Sequence, residues 1–257
     1  MRMKSVDHSG ESVLIGSASG LPGLRASDVE ERLRAEADPE RARFQQGFFK
    51  TGPGEYGEGD VFLGIKVPTL RRITRDFRRL PLAEVEALLA SPRHEARLIA
   101  LLILVDACNN ADPEGCEAVY RLYLANTDRI NGWDLVDSSA PWIVGGYLLD
   151  RDRSILSELA RSESLWERRI AVIATHHFIR RGEFEDTLEI ADILLADNHD
   201  LIHKAVGWML REVGNRDRDV EEGFLSDRYG RMPRTMLRYA IEKFPEDLRL
   251  RYLRGEV

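Results

Sequence analysis

The sequence contains little of what would place it in the more specialised protein classes. It has only two cysteines, Cys108 and Cys116, which share no metal-ligand spacing and no secretory context, so we predict that both are reduced. No apolar run approaches the ~20 residues that a membrane helix needs. The opening segment has one short apolar patch, at 13–15, and resembles neither a signal peptide nor a membrane anchor, which predicts a cytoplasmic protein.

The chain also lacks a net positive charge, since its formal net charge is −7. This excludes a protein that is basic over its whole surface, such as a histone-like binder. It does not exclude a local basic stripe, because nucleic-acid binding depends on the local field. With 257 residues, 43% of them hydrophobic and 32% charged, the chain is typical of a globular protein with an ample core.

Strand patterns are absent as well, because no window alternates with period two for long enough. Residues 1–26 are rich in Gly and Ser and lack periodicity, which predicts a disordered N-terminal extension. Residues 27–257 are predicted to form one helical domain. Ser27 opens a capping-box pattern, and Ser91 is predicted to cap a helix. Proline is typical of the first helical turn, which predicts helix starts at Pro68, Pro81, Pro92 and Pro233.

The helical segments repeat along the chain. When they are aligned by apolar spacing, their register positions are separated by 36, 36, 35 and 34 residues. Two helices per unit of this length predict an all-α fold, an α-solenoid, and the missing TPR pattern favours HEAT-like repeats. One helix of each pair should line a concave basic groove, although Arg stems packed on solvated faces would give the same pattern. The register positions are Arg97, Trp133, Arg169, Lys204 and Arg238.

The stretch WDLVD, residues 133–137, is the first candidate site. Its indole and its last carboxylate are four residues apart and therefore share one face of a helix. The downstream helices at 165–173 and 202–212 carry Arg, Lys or Trp where a buried face would normally carry Leu. An aromatic ring, a carboxylate and cations on stacked helices favour a cationic, electron-poor ligand on a polyanion. A damaged base in DNA fits that description.

Four segments occur together in a characteristic order: FFKTGPGEYGEGDVFLGIKVPTLRR, WDLVD, LWERRIAVI and KAVGWMLRE. In order and spacing they resemble the HEAT-repeat DNA alkylation repair family, the AlkD-type DNA glycosylases, over about residues 44–243. Members of this family excise positively charged alkylated purines, such as 3-methyladenine and 7-methylguanine, without a metal or cofactor. The resemblance implies the same activity here, and the family's functional residues fall on Trp133, Asp137, Arg169 and Trp208.

The chemistry suits these residues. Hydrolysis of an N-glycosidic bond develops oxocarbenium character on the sugar. A cationic alkylated base leaves as a neutral molecule, so Asp137 alone is expected to stabilise the sugar cation and position water. Trp133 and Trp208 would bracket the lesion, because an indole face attracts a cation by roughly 0.5–2 kcal/mol. Arg169 is expected to hold a nearby phosphate. The further expected DNA contacts are Lys204, Arg168, Arg97, Arg238 and Phe49.

The expected partner is duplex DNA containing alkylated bases, with no metal, cofactor or membrane. A solenoid of this size needs no second subunit to close its core, which predicts a monomer. The Gly-rich segment 52–59 is longer than in the family's type member. It leaves open which of Phe48, Phe49 and Tyr56 approaches the lesion.

Each site residue also has an ordinary structural explanation. An indole is usually buried in a core, and Asp137 and Arg169 could form a purely structural salt bridge. A non-catalytic HEAT-repeat scaffold that binds DNA or an acidic protein segment is therefore the alternative function. A metalloenzyme is a more distant alternative, because His199 and His203 have metal-ligand spacing but no evident third ligand.

Overall fold

The structure, a computed structural model, describes residues 23–257 and is built from helices. Most of the predicted N-terminal extension, residues 1–22, lies outside the described residues. A single β-bridge between Val61 and Arg93 is the only strand-like pairing in the described part of the chain. The all-α prediction is therefore confirmed. The helices are α1 (Ala26–Ala35), α2 (Pro39–Phe48), α3 (Val67–Asp76), α4 (Leu82–Leu89), α5 (His94–Asn110), α6 (Pro113–Ala125), α7 (Trp133–Ala140), α8 (Gly146–Leu148), α9 (Ser154–Ala160), α10 (Leu165–Ala174), α11 (His176–Ile179), α12 (Glu185–Ile193), α13 (Asp200–Gly214), α14 (Arg218–Ser226), α15 (Arg234–Ala240) and α16 (Glu246–Arg254).

The five helices that carry the register positions form one continuous layer. In chain order, α5 packs on α7, α7 on α10, α10 on α13, and α13 on α15. A second set of helices flanks this layer, with α4 and α6 against α5, α9 against α10, and α12 and α14 against α13. Each unit buries its apolar face only by stacking on its neighbours, as a helical-repeat solenoid requires. The predicted solenoid is confirmed, and its apolar residues form one continuous core.

Helix starts follow the prolines. Pro68 lies in the first turn of α3, and Pro81 and Pro233 immediately precede α4 and α15. Two predicted caps are wrong. Helix α1 begins one residue before Ser27, because the Asp28 carboxylate accepts the backbone N–H of Arg25 at 2.8 Å and closes the first turn there.

The second wrong cap is Ser91. Helix α5 begins at His94, two residues after Pro92, because the chain pairs with Val61 at Arg93 before it turns into the helix. The Ser91 hydroxyl instead donates to the Glu30 carboxylate of α1 at 2.6 Å. It therefore joins two helices and does not cap one.

Two glycines allow neighbouring helices of the inner layer to approach closely. A Cβ on Gly145, in the π-helical turn after α7, would lie 2.2 Å from the Ala174 carbonyl oxygen at the end of α10. A Cβ on Gly207 in α13 would lie 2.4 Å from the Met236 carbonyl oxygen of α15. Neither position can hold a side chain unless the helices move apart.

The cysteine prediction is wrong. Cys108 near the end of α5 and Cys116 near the start of α6 form a disulfide, with their Cα atoms 4.4 Å apart. The short turn between the two helices brings these residues together, a proximity that spacing in the sequence did not reveal. Among residues 23–257, no helix is both long enough and apolar enough to cross a membrane.

Candidate active site

A cleft of about 640 Å³ opens on the inner layer of helices. It brings together Trp133 and Asp137 from α7, Arg169 from α10, and Lys204 and Trp208 from α13. These are all four predicted catalytic residues and one predicted phosphate contact. The remaining lining residues are Phe48, Lys50, Tyr56, Asn198, His199, Asp200, Leu201, Arg211 and Tyr239.

Asp137 and Arg169 form a two-pronged ion pair at the floor of the cleft. The Arg169 Nε and Nη2 atoms donate to the two carboxylate oxygens of Asp137 at 2.9 and 2.8 Å, and Nη1 donates to the Leu201 carbonyl oxygen. The guanidinium is buried, whereas 18% of the Asp137 side chain is exposed, on the side of the cleft. Burial raises the pKa of the Asp137 carboxyl above its usual value, and Arg169 opposes that rise.

Aromatic rings form the wall around Trp133. Its indole stacks on Phe49 with ring centroids 5.2 Å apart and contacts Phe48 edge-on at 6.2 Å. Tyr56 lines the same cleft as Trp133, and burial raises the pKa of Tyr56. Phe48 and Tyr56 line the cleft, whereas Phe49 lies behind the indole. Of the three aromatics that the sequence left open, Phe48 and Tyr56 are therefore the two that a ligand can reach.

Trp208 and Lys204 form the facing wall on α13. The Trp208 ring lies 6.0 Å from the ring of His176, whose pKa burial lowers. The Lys204 ammonium pairs with Asp200 at 2.7 Å on the same helix and is partly exposed to the cleft. The cleft is thus bounded by an indole on each side and by a carboxylate at its floor.

A buried ionic cluster supports the turn that carries Trp133. The His94 imidazole lies between two carboxylates, with Nδ1 2.8 Å from Asp60 Oδ2 and Nε2 2.8 Å from Asp134 Oδ2. Burial disfavours a charge on this ring, but the two carboxylates prevail and raise the pKa of His94 to about 9. Because Asp134 directly follows Trp133 in the chain, the cluster fixes the start of α7 and the position of the indole.

Arg97 belongs to this cluster, which corrects its predicted role. Its Nη2 donates to Asp60 at 2.6 Å, and the residue is only 4% exposed. A buried, paired guanidinium cannot meet a phosphate, so Arg97 is not a DNA contact. Its register position was right, but in the first repeat that position is covered by the loop that carries Asp60.

The other predicted DNA contacts have mixed outcomes. Arg168 is bound to Asp197 at 2.7 Å and to the carbonyl oxygens that precede α10, and it does not line the cleft. Phe49 supports Trp133 from behind. Lys204 lines the cleft, and Arg238 is exposed on α15 outside it, so their phosphate contacts stay predictions.

Lys50 is a cleft residue that the sequence did not single out. It is the one non-glycine residue of 23–257 with a left-handed backbone, at φ 52°. Helix α2 ends there in a Schellman motif, with Lys50 N–H bonded to the Gly47 carbonyl and Thr51 N–H to the Gln46 carbonyl, at 3.3 and 3.2 Å. Glycine is usual at this position, and another residue costs about 1–2 kcal/mol there. The lysine is thus held at a strained position with its side chain in the cleft.

Arg211 and Tyr239 also line the cleft and were not predicted as site residues, whereas Tyr56 was one of three aromatics that the sequence left open. Tyr56 reaches it from a loop far from α7 in sequence, so no local spacing could have revealed it. For Arg211 and Tyr239 a signal was available. Arg211 follows Lys204 at i+7 and Tyr239 adjoins the register position Arg238, so both lie close to the predicted face.

The chain is similar to known proteins both in sequence pattern and in fold. The model of a family described as DNA alkylation repair enzyme matches residues 29–244, most of the chain. A solved structure described as a predicted DNA alkylation repair enzyme from Enterococcus faecalis is similar in fold. It has a TM-score of 0.66 and 18% sequence identity, and the match covers 82% of this chain and 98% of that one. No curated protein matches the chain.

Proposed function

The chain belongs to the DNA alkylation repair enzyme family, and we propose that it is a DNA glycosylase for cationic alkylated purines in duplex DNA. One observation carries the proposal: a carboxylate, Asp137, faces a cleft whose two walls are the indoles of Trp133 and Trp208. This is the arrangement that a cationic base on an anionic polymer needs. The substrate class comprises 3-methyladenine and 7-methylguanine.

Asp137 is the proposed catalytic residue. As the glycosidic bond breaks, positive charge develops on the sugar and the alkylated base leaves neutral. A carboxylate beside the sugar stabilises that charge in a partly desolvated site, where electrostatic effects are strong, and it positions the attacking water. Because the base already carries its positive charge, the reaction needs no acid to protonate it.

Arg169 has a different role from the one that the sequence suggested. Its three engaged nitrogen atoms serve Asp137 and the Leu201 carbonyl, so it is a positioning residue that orients the carboxylate and opposes the rise of its pKa. The phosphate beside the lesion is then left to the more accessible cations of the cleft. Lys204 and Lys50 are the two whose side chains can serve this purpose.

The two indoles supply selectivity. A positively charged purine between Trp133 and Trp208 gains roughly 0.5–2 kcal/mol from each ring face, and a neutral purine does not. Trp133 is well suited to this task, because Phe49 stacks on its far face and supports it. A rigid ring loses little conformational entropy when it stacks on a ligand.

Base release from duplex DNA containing 7-methylguanine tests the proposal. The wild type, D137N and the control D219N, which changes an exposed aspartate on α14, are compared in single-turnover assays. We expect D219N to match the wild type and D137N to lose a factor of about 10²–10³. A melting curve for each variant separates lost chemistry from lost folding.

Two outcomes would contradict the proposal. Full base release by a folded D137N would remove Asp137 from the mechanism. Binding of the wild type to 7-methylguanine DNA and to 3-methyladenine DNA without release of either base would instead favour a non-catalytic scaffold.

A further inference from the structure

Helix α3 carries an unusual concentration of unpaired positive charge. The segment 66–79 holds six cations and one acid, a formal charge of +5 in a chain whose net charge is −7. Arg72 pairs with Glu36. Arg71, Arg75 and Arg78 are exposed and have no carboxylate within 4 Å in the described part of the chain. Other arginines of residues 23–257 also lack such a partner, so what distinguishes this segment is its local density of positive charge.

These three arginines line a groove between α3 and α5. The groove has a volume of about 360 Å³, and its α5 side is formed by Leu102, Val105 and Asn109. Asp106 is the one acid in its lining, so the groove walls carry three positive charges against one negative charge. Such a surface has an excess of positive charge and is therefore complementary to a polyanion.

The groove continues into the proposed active site. On α3, Val67, Arg71 and Arg75 follow one another at intervals of one helical turn and therefore lie on the same face. On α5, Leu98 lies one turn before Leu102. Val67 and Leu98 line an apolar hollow of about 420 Å³ next to the groove. That hollow shares two lining residues, Phe48 and Trp133, with the catalytic cleft. Groove and hollow therefore follow one another along α3 and α5, and the hollow adjoins the cleft at Phe48 and Trp133.

We propose that the α3–α5 groove binds the phosphate backbone of the DNA that flanks the lesion on one side. The inference rests on the proposed function, because duplex DNA is the occupant. Arg71 and Arg75 lie one helical turn apart on α3, and Arg78 lies in the turn that follows the helix. The three guanidinium groups therefore form a row along the groove that suits successive phosphates of one DNA strand.

The apolar hollow is the link between groove and cleft. Phe44 and Phe48 are exposed there by 72% and 57%, with their rings stacked 6.4 Å apart. Exposed apolar rings beside a basic surface match the alternation of sugar and phosphate along a DNA strand. The hollow therefore contacts the sugars between the lesion and the phosphates held by α3.

The test compares the triple variant R71Q/R75Q/R78Q with the control R121Q/R129Q/R254Q. The control removes the same charge from exposed arginines on α6, on the turn after it and on α16, which do not line the groove. Binding to unmodified duplex DNA is measured between 50 and 200 mM salt. We expect the groove variant to bind about tenfold more weakly and its log–log salt slope to fall by about 2–3 relative to the control.

A second arm locates the groove relative to the lesion. Duplexes that contain 7-methylguanine are shortened on one side or on the other, and wild-type affinity should fall for one truncation only. The groove variant should lose that asymmetry. Its single-turnover rate of base release at saturating protein should remain at the wild-type value, because the groove is outside the catalytic residues.

The outcomes separate this inference from the proposed function. If the groove variant binds DNA with the affinity and salt slope of the control while the wild type releases base, the groove inference is wrong and the glycosylase stands. If the groove variant loses affinity but the wild type releases no base, the groove is a DNA surface and the glycosylase proposal fails.

Discussion

Arg169 donates hydrogen bonds to both carboxylate oxygens of Asp137, and this pairing sets the chemistry of the cleft. Burial alone would favour a neutral carboxylic acid at the floor of a hydrophobic cleft, which could not stabilise a sugar cation. The guanidinium opposes that preference, although burial still holds the pKa of Asp137 above its usual value. It also fixes the carboxylate in one orientation, so the proposed catalytic group is positioned before DNA arrives.

The substitution R169K tests this relationship. Lysine keeps a positive charge but loses the forked hydrogen bonds, so the already raised pKa of Asp137 should rise further. The reaction needs ionised Asp137, so its rate is present above that pKa and is lost as the pH falls through it. We expect the acid limb of single-turnover base release to move to higher pH in R169K. An acid limb identical to that of the wild type would contradict the role of Arg169.

The strained lysine predicts opposite effects on stability and on binding. K50G relieves the left-handed backbone at φ 52°, so the variant should gain about 1 kcal/mol in the free energy of unfolding. The same change removes a cation from the cleft, so affinity for DNA should fall severalfold. Urea denaturation and a binding titration measure the two effects. K50N, which also tolerates this backbone, is the control, and retained affinity in both variants would show that the charge is unused.

The buried His94 cluster predicts a fall in stability at alkaline pH. The pKa of His94 in the fold, about 9, exceeds the ordinary pKa of 6.5 for a free imidazole. The charged His94 imidazole therefore contributes fully to the free energy of unfolding below pH 6.5, and that contribution is lost as the pH rises through 9. We expect the free energy of unfolding to fall across this window in the wild type and less in H94Q. Parallel curves for the two proteins would show that the imidazole is not charged in the fold.

Glu221, which does not line the cleft, predicts a stabilising substitution. This side chain is 2% exposed, and its Oε1 has no hydrogen-bond partner in the described structure. Burial raises its pKa to about 8, so folding becomes less favourable as the pH rises from 4.5 to 8 and the unfolded chain ionises. E221Q should stabilise the protein at neutral pH by on the order of 2 kcal/mol. The gain should disappear below pH 4.5, the ordinary value for this carboxyl group.

Helical spacing was sufficient to predict much of the site. Trp133 and Asp137 lie one turn apart, and the register steps placed Arg169 and Lys204 on neighbouring helices of the same layer. These relationships are local or periodic, so they follow from the repeat itself. The resemblance in motif order added Trp208, which does line the cleft.

Contacts between distant segments could not be predicted in this way. Arg97 occupies the expected register, but Asp60 reaches it from a loop 37 residues earlier and neutralises it. Tyr56 and Lys50 enter the cleft because a long turn after α2 folds back over α7. The composition of that turn indicated a loop, while its path depends on tertiary packing that a single sequence does not display.

The close helix contacts at Gly145 and Gly207 also determine the curvature of the molecule. In a solenoid each small rotation between adjacent helices adds to the next, so the end-to-end bend is the sum over all repeats. Gly145 sets the approach of α10 to the turn after α7, and Gly207 sets that of α15 to α13. Trp133 and Trp208 are on helices of this series, so the width of the gap between the two indoles depends on glycines whose own atoms do not line the cleft. A bulkier side chain at either glycine would widen or tilt that gap while every catalytic group stays intact. The size of the lesion that fits between the indoles therefore depends on helix packing along the whole solenoid.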